Sequence, residues 1–397
     1  MSHAYSAPLK GDAPSGSDLL SDVALPAAAI LESALDHNIR WMQHFAEAHG
    51  AVLAPHGKTT MTPAIFQRQL AAGAWGITLA TAHQCAAAFE HGVTRLLMAN
   101  QLVGDANMAI VAALIERGAD YYCTVDSHDN VHALGAYFSA RGLCVQVLAE
   151  LGVPGGRCGV RDDDALAELL DTIAATPGVR LRGIEGYEGL VQGEDPIAAV
   201  RAYAARLVAS VERLPAGAGN DAPIVTASGS RWFDLIAEAF SQAELGGRYL
   251  AVLRPGCYVT HDHRLYHVAM QEVKQRHPAL EGELLPALRV FARVQSLPEP
   301  GLAVVALGRR DIAYDPDLPI PLELHRPGLP ARALDGCSTQ AIMDQHCMLR
   351  LPAGLELAIG DVLSFGASHP CLTFDKWQRL LLVDDALQVR TAMATAF

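Results

Sequence analysis

Short apolar runs alternate with amphipathic, alanine-rich stretches from about residue 30 to about residue 260. The apolar runs are roughly four to eight residues long and predict β-strands, whereas the stretches between them predict helices. The predicted strands are Ala51–Pro55, Gly76–Ala80, Arg95–Asn100, Tyr121–Val125, Val145–Ala149, Leu181–Gly186, Ile224–Ala227 and Tyr249–Leu253. The predicted helices include Pro63–Ala72, Ala82–His91, Ala106–Arg117, Asp163–Ala174 and Ala198–Arg213.

Alternating apolar strands and helices predict a parallel sheet covered by helices, and hence an α/β fold. About eight strand–helix units in this length favour a (β/α)8 TIM barrel. The alternative is a doubly wound open sheet, which requires a glycine-rich fingerprint after its first strand. Pro55-His56-Gly57-Lys58 stands in that place and is not such a fingerprint. We therefore expect a barrel.

The pattern changes after about residue 265, where long helical patterns disappear and proline-rich turns separate short apolar runs. Two such turns are Pro316–Pro321 and Pro327–Pro330. The runs predict a mostly antiparallel β domain with strands at Arg289–Leu297, Ala303–Leu307, Cys347–Leu351, Asp361–Phe365 and Arg379–Val383. The predicted parts are a segment 1–29 that joins the β domain, a barrel over 30–265 and the β domain over 266–397.

Composition excludes several classes of protein. The formal net charge is -13, which argues against general nucleic-acid binding and against an anionic membrane surface. No run of about 18 apolar residues predicts a membrane span. The eight cysteines are scattered without a CxxC pair, as is typical of reduced thiols in the cytosol. Because no apolar core near the start predicts a signal peptide, we expect a cytoplasmic protein.

Lys58 follows the first predicted strand, and functional side chains of TIM barrels follow the carboxyl ends of strands. It is the only lysine between Lys10 and Lys274. One interpretation is a surface lysine placed there by chance. The other is an amine in an enclosed site, where desolvation makes it a nucleophile.

Small residues follow the seventh and eighth strands, at Ser228-Gly229-Ser230 and at Gly256. Barrels commonly build a phosphate site here from backbone amides, although any turn between a strand and a helix can carry such residues. Combined with a single lysine after the first strand, the pattern indicates a phosphorylated carbonyl cofactor. We therefore expect pyridoxal phosphate, held as a Schiff base on Lys58.

His369 and Cys371 lie two residues apart in the β domain. In an extended segment both side chains point the same way and can bind one metal ion. An imidazole and a thiolate favour zinc, and two protein ligands leave positions open for substrate or water. The same spacing also occurs by chance, and another divalent metal is an alternative to zinc.

Other histidines offer weaker indications of a metal site. His261, His263 and His267 could form a metal cluster, but the sequence favours a solvated loop after the barrel. His346 precedes Cys347 and is most simply interpreted as the start of a strand. The metal prediction therefore rests on the pair in the β domain.

Taken together, these motifs resemble the D-serine dehydratase and D-threonine aldolase family, whose barrel is shared with alanine racemase. The resemblance extends from Pro55-His56-Gly57-Lys58-Thr59 to His369-Pro370-Cys371. It implies that Lys58 carries the cofactor, that Arg157 faces the pyridine nitrogen and that His369 and Cys371 bind the metal. It also implies that the cofactor is contacted by His56, Tyr187, Ser228, Gly229, Ser230, Gly256, Cys257 and Tyr258. The turn at 226–230 and the insert Asp315–Pro330 depart from the family pattern.

The resemblance implies a lyase that depends on pyridoxal phosphate and zinc. Aldolases of the family tend to show His-x-Asp, whereas D-serine dehydratases show His-x-Cys, as this chain does. We therefore expect elimination of water from a D-configured β-hydroxy amino acid, which gives a keto acid and ammonia. The alternatives are D-threonine aldolase activity, 3-hydroxy-D-aspartate aldolase or dehydratase activity, a racemase that uses Tyr314, and a non-catalytic cofactor carrier. The resemblance also implies a homodimer.

Overall fold

The computed structural model describes residues 9–215, 217, 222–243, 245 and 247–397. The chain divides into two compact units that differ in architecture. One, the barrel unit, comprises Met42–Lys58 and Ile65–Gly256. The other, the β unit, comprises the described residues up to Trp41 together with Thr59–Ala64 and Cys257–Phe397.

The first elements alternate between strand and helix. In chain order they are β1 (Ala27–Leu31), α1 (Glu32–Ala48), β2 (Val52–Leu53), α2 (Pro63–Ala71), β3 (Ile77–Leu79), α3 (Ala82–Glu90), β4 (Arg95–Gln101), α4 (Asp105–Glu116), β5 (Asp120–Val125), α5 (His128–Ser139), β6 (Val145–Leu151), α6 (Asp163–Ala175), β7 (Val179–Gly186), α7 (Pro196–Val211), β8 (Ile224–Ala227), α8 (Phe233–Gln242) and β9 (Leu250–Leu253).

Strands β2 to β9 form one parallel sheet in the order β2-β9-β8-β7-β6-β5-β4-β3. The two outer strands meet, because the Trp75 amide donates to the Leu53 carbonyl at 2.7 Å and the Thr78 amide to the Pro55 carbonyl at 2.9 Å. The sheet is thereby closed into a cylinder, and a doubly wound open sheet is excluded. The predicted TIM barrel is confirmed, and each of its eight strands overlaps the predicted run.

Polar residues at the carboxyl ends of the strands also start several helices. The Thr81 hydroxyl, after β3, accepts a hydrogen bond from the Gln84 amide, and Asp195 caps α7 in front of Pro196. Such caps satisfy amides that the first helical turn leaves unpaired. They fix where each helix begins and therefore the conformation of the loops that end the barrel strands.

The remaining elements belong to the β unit. They are α9 (Leu265–Arg276), β10 (Leu288–Glu299), β11 (Leu302–Val305), β12 (Ile320–His325), β13 (Arg332–Ala333), β14 (Ser338–Ile342), β15 (Cys347–Arg350), β16 (Val362–Gly366), α10 (Cys371–Phe374), β17 (Arg379–Val383) and β18 (Val389–Ala394). Their main sheet has the order β13-β12-β16-β10-β1-β17-β18, and β11, β14 and β15 extend it from β10. All these pairs are antiparallel except β1 with β17. The mostly antiparallel domain is confirmed.

Two details of the β unit correct the sequence analysis. Long helical patterns were expected to end near residue 265, but α9 begins there and buries Ala269, Met270 and Val273. Its apolar stripe is narrow, so polar residues dominate the local sequence. The predicted turn Pro316–Pro321 ends inside β12, where Pro321 stands beside a register shift against β16. A proline, which has no amide to donate to the sheet, is tolerated at such an irregularity.

Candidate active site

Lys58 lies at the carboxyl end of β2, within a short 3-10 turn, and its side chain is exposed. Its neighbour His56 pairs with Thr78 of β3, and the buried His56 Nδ1 has no hydrogen-bond partner among the described residues. Burial lowers the pKa of His56 well below its usual value. The positive charges of Lys58, Arg254 and Arg157 act in the same direction. A neutral imidazole and three cationic side chains therefore surround the end of the first barrel strand.

Arg254, which ends β9, forms a buried ion pair with Glu185 of β7. Its guanidinium also donates to the Thr226 hydroxyl at 2.8 Å and to the Gly186 carbonyl at 3.0 Å. Burial raises the pKa of Glu185, and the charge of Arg254 opposes that rise. This network joins three neighbouring strands, and it holds a fixed positive charge near His56.

Arg157 and Tyr187, two of the residues predicted to lie beside the cofactor, contact each other. The Arg157 guanidinium carbon lies 4.5 Å from the centroid of the Tyr187 ring. A guanidinium stacked over an aromatic face is held by cation–π attraction. The Arg157 loop is also tied down, because the Gly159 amide donates to Asp126 at 2.8 Å. Arg157 is therefore a positioned, permanently charged group at this end of the barrel.

Two of the predicted phosphate-binding amides already have an acceptor within the chain. The amides of Ser228 and Gly229 donate to the Glu188 carboxylate at 3.1 and 2.5 Å. Ser228 adopts a φ of 94°, which turns both amides toward this carboxylate. Burial raises the pKa of Glu188, and these amide bonds oppose that rise. The Ser230 hydroxyl, in turn, accepts a hydrogen bond from the Gly256 amide at 3.2 Å.

The residues of the barrel unit fit a phosphorylated aldehyde. Lys58 supplies an amine, the charges that converge on His56 suit an anion, and the orphaned His56 Nδ1 lacks only a ligand atom as its partner. A phosphate would have to replace Glu188 at the two amides or bind through Ser230. No motif in the sequence indicates Glu188, since a glutamate after a barrel strand is not by itself a signal.

In the β unit, Cys257, His369 and Cys371 place their ligand atoms within 4.8 Å of one another. The Cys257 and Cys371 sulfurs are 3.5 Å apart, and the Thr59 hydroxyl lies 3.4 Å from the Cys371 sulfur. The predicted pair therefore converges, although not on an extended segment. His369 lies in a bend, Pro370 has helical backbone angles, and α10 begins at Cys371. Cys257, predicted among the cofactor contacts, directs its thiol into this cluster.

Asp315 orients His369. Its carboxylate accepts a hydrogen bond from His369 Nδ1 at 2.9 Å, which leaves Nε2 as the ring nitrogen available to a metal. The Ser368 hydroxyl donates to the carbonyls of Asp315 and Asp317, both at 2.7 Å, and fastens this segment beside the pair. Asp315 belongs to the insert that departs from the family pattern, so the motifs could not indicate its role.

The close contacts within the cluster shift the pKa values of His369 and Cys371 in opposite directions. Burial lowers the pKa of His369, but the hydrogen bond and charge of Cys371 and the Asp315 carboxylate outweigh it and raise that pKa to about 9. A hydrogen bond from Cys257 lowers the pKa of Cys371 well below its usual value, against its burial. Of the two sulfurs, that of Cys371 therefore takes the thiolate form more readily, which is the form that binds metal ions.

The prediction of a solvated loop is wrong for His261, His263 and His267: the first two are packed within the β unit, and the third, although exposed, lies in α9. His261 is 1% exposed, and neither of its ring nitrogens has a partner within the described chain. His263 packs on Gly366, where even a Cβ would come within 2.4 Å of the ring. Burial lowers the pKa of both His261 and His263 to about 3. Within the described ranges, the one His/Cys/carboxylate cluster close enough to bind a metal is that of His369.

Two models of known protein families match the chain. Residues 30–260, more than half of the 397, match the family model for the N-terminal domain of alanine racemase. The chain belongs to this family. Residues 287–383 match the model for a putative serine dehydratase domain. The two matches confirm the resemblance predicted from the motifs.

No helix in the described part of the chain is long and apolar enough to span a membrane.

Two relatives and two solved structures are similar to this chain over much of its length. A D-threonine aldolase of Arthrobacter sp is 28% identical over 93% of this chain and 92% of its own. A D-threo-3-hydroxyaspartate dehydratase of Delftia sp. is 31% identical over 62% of this chain and 63% of its own. The structure of a cysteine-to-alanine variant of a D-threo-3-hydroxyaspartate dehydratase, in a metal-free form, has a TM-score of 0.73 (24% identical, 95% and 99% covered). The D-threonine aldolase of Filomicrobium marinum has a TM-score of 0.81 (24% identical, 97% and 98% covered).

Replacing Asp315 with asparagine is expected to weaken zinc binding. An amide does not enforce the tautomer that presents Nε2, and loss of such an outer partner typically costs about 10- to 100-fold in metal affinity. The measurement is competition for zinc against a chelator of known affinity. The control is Asp317→Asn, which changes a neighbouring carboxylate that pairs with Arg264 instead. Equal zinc affinities for both variants would show that Asp315 does not support metal binding by His369.

Replacing Glu150 with glutamine is expected to flatten the pH dependence of stability. Burial first, and then the negative charges of Glu185 and Asp126, raise the pKa of Glu150 to about 8, while Gln101 donates to it at 2.6 Å. Between the usual carboxyl pKa and pH 8, the folded chain binds a proton that the unfolded chain has lost. The free energy of unfolding therefore falls as pH rises through this window.

Urea unfolding at a series of pH values between about 5 and 9 measures this effect. The glutamine variant should lose roughly 1–3 kcal/mol of the pH-dependent change in unfolding free energy. The control is Glu116→Gln, which alters an exposed glutamate at the end of α4. An unchanged slope in Glu150→Gln would show that Glu150 ionises normally in the folded protein.

Proposed function

We propose that this protein is a pyridoxal-phosphate- and zinc-dependent lyase that acts on D-configured β-hydroxy amino acids in the manner of a D-serine dehydratase. The observation that carries the proposal is the His369–Cys371 pair with Asp315 behind the imidazole. It is supported by the amine of Lys58 among converging positive charges in the barrel unit. Thr59, whose hydroxyl lies beside the Cys371 sulfur, directly follows Lys58 in the sequence. Cys257 of the cluster directly follows Gly256.

Lys58 has two proposed roles. Its amine holds the cofactor, and after the substrate amine has taken its place, Lys58 accepts the α-proton at Nζ as a general base. Bound pyridoxal phosphate supplies the electron sink for breaking the α-carbon–hydrogen bond. A guanidinium is a poor proton donor, so Arg157 would keep the pyridine nitrogen unprotonated and make the ring a weaker electron sink. Assistance at the β-carbon is then needed.

His369 and Cys371 are proposed to provide that assistance by holding a zinc ion. The ion supplies Lewis-acid activation of the β-hydroxyl, which is otherwise a poor leaving group. Asp315 fixes the ring orientation of His369, and the Thr59 hydroxyl lies within hydrogen-bonding distance of the Cys371 sulfur. The same groups would serve retro-aldol cleavage if the hydroxyl lost its proton instead of leaving. The metal-free form described for a cysteine variant of a D-threo-3-hydroxyaspartate dehydratase is in agreement with this proposal.

An aldolase is the second candidate, favoured by the likeness to the Arthrobacter D-threonine aldolase over most of both chains. Dehydration is preferred here because Cys371 occupies the position where the family resemblance implies aspartate in aldolases. A racemase is less well supported, since Tyr314 is 44% exposed and lies beside Arg309. A mere cofactor carrier would not require the His369 cluster. A homodimer and a cytoplasmic location are further proposals, the latter supported by eight cysteines that form no disulfide bond in the described part of the chain.

A product assay tests the proposal. D-Serine, D-threonine and D-threo-3-hydroxyaspartate are each incubated with the cofactor-loaded protein, with and without zinc. Keto acid and ammonia in equal amounts, formed only with zinc, are expected. Glycine together with an aldehyde would establish the aldolase instead, and enantiomer exchange without cleavage would contradict both lyases.

A further inference from the structure

A third sulfur lies beside the metal-binding pair. Cys257 begins the short 3-10 turn Cys257–Val259 after β9, and its side chain is buried, with 4% exposure. Its sulfur is 3.5 Å from that of Cys371, and it shares the 4.8 Å cluster with His369. We propose that Cys257 is a third protein ligand, so that the proposed function uses a zinc ion held by two thiolates and one imidazole.

The distances fit one tetrahedral ion. Zinc–sulfur bonds of about 2.3 Å place two thiolates on one tetrahedral zinc roughly 3.8 Å apart. The 3.5 Å between Cys257 and Cys371 is within a few tenths of an ångström of that value. It is far longer than a disulfide bond of about 2.05 Å. The two sulfurs therefore need only a small adjustment to bind the same ion.

The neighbouring groups also suit metal binding better than two buried thiols that merely pack together. The Thr59 hydroxyl lies 3.4 Å from Cys371 and 3.8 Å from Cys257, so one donor can reach either sulfur. His369 is already oriented by Asp315, as metal-binding histidines are by an outer carboxylate. The imidazole and the two sulfurs thus form a set of three ligands, and Asp315 and the Thr59 hydroxyl are their outer partners.

A third ligand changes the chemistry expected of the site. With two protein ligands, two positions of a tetrahedral ion stay open; with three, a single position remains, which is the pattern of catalytic zinc. The substrate would then bind the ion through one oxygen, the β-hydroxyl. Two thiolates also favour zinc over harder ions such as magnesium and manganese. We expect zinc or cobalt, and not magnesium, to occupy the site.

Cobalt substitution tests the ligand count. The cofactor-loaded protein with Co²⁺ in place of zinc should show thiolate-to-cobalt charge-transfer absorbance, and Cys257→Ser should lose about half of it while Cys371 supplies the rest. Cobalt affinity in Cys257→Ser should fall by more than the roughly 10- to 100-fold typical of an outer partner. Cys337→Ser, which removes a half-buried thiol of the same unit, is the control and should match the unmodified protein. Undiminished absorbance in Cys257→Ser would overturn the proposal.

X-ray absorption at the zinc edge tests the unmodified protein and does not depend on any variant folding. Two sulfur scatterers at about 2.3 Å are expected. One sulfur scatterer, or a protein that binds no zinc, would overturn the third-ligand assignment. The product assay on the same sample separates the two proposals. Zinc on two sulfurs without lyase activity refutes only the proposed function, whereas zinc-dependent lyase activity with one sulfur refutes only Cys257 as a ligand.

Discussion

Replacing Lys58 with alanine is expected to abolish covalent attachment of pyridoxal phosphate and to lower kcat/KM for any D-β-hydroxy amino acid by about 10³-fold or more. The variant loses both the amine that holds the cofactor and the base that takes the α-proton. Lys58 is exposed at the end of a strand, so the folded structure should tolerate the change. Borohydride reduction followed by peptide mapping shows whether residue 58 carries the cofactor.

Lys274→Ala is the matched control for this experiment. Lys274 lies in α9 and donates to the carbonyls of Leu280 and Gly282, so it has a structural partner and no proposed chemical role. Its loss should leave both the visible absorbance and the activity unchanged. Covalently bound cofactor in Lys58→Ala, or its loss in Lys274→Ala, would contradict the assignment of the cofactor lysine.

Removing zinc with a chelator is expected to reduce lyase activity by roughly 100-fold or more, because Lewis-acid activation contributes several kcal/mol. The absorbance of the bound cofactor should not change, since none of the proposed metal ligands carries it. Readdition of zinc should restore activity. The measurement is keto acid formation on dialysed protein, with the visible spectrum recorded in parallel.

Two variants distinguish a lost metal from a damaged protein. His369→Asn should mimic chelation and should not recover with zinc, since one ligand is missing. His346→Ala changes another histidine that neighbours a cysteine in the sequence, but it is exposed and outside the His369 cluster. It should behave as the unmodified protein. Full activity in thoroughly metal-free protein would refute the role of zinc.

The fold was largely predictable because its signals are local. Each barrel strand is a short apolar run. A strand that is buried on both faces is apolar along its whole length, so it can be recognised without knowing which strands it pairs with. β8, for example, is buried over its full length and matches the predicted run residue for residue. The helix α9 was missed for the converse reason: three buried residues among many polar ones make a weak local pattern.

The predicted site residues were found from unusual positions in the sequence. Lys58 was conspicuous as an isolated lysine at a strand end, and His369 and Cys371 were conspicuous by their spacing. The partners of other predicted site residues were not conspicuous in the sequence. Glu188 is an ordinary glutamate in the sequence, and only the structure places it on the amides of Ser228 and Gly229.

By itself, the sequence therefore determines a closed barrel of alternating strands and helices, an antiparallel β domain, one lysine suited to a carbonyl cofactor and one imidazole–thiol pair. These features depend on residues that are neighbours along the chain. Only the tertiary structure decides that Cys257, 114 positions from Cys371, adds a second sulfur, and that Asp315, 54 positions from His369, fixes the imidazole. The physical reason is that the coordination of a metal ion and the pairing of buried charges depend on distances of a few ångströms, which folding creates between residues far apart in sequence.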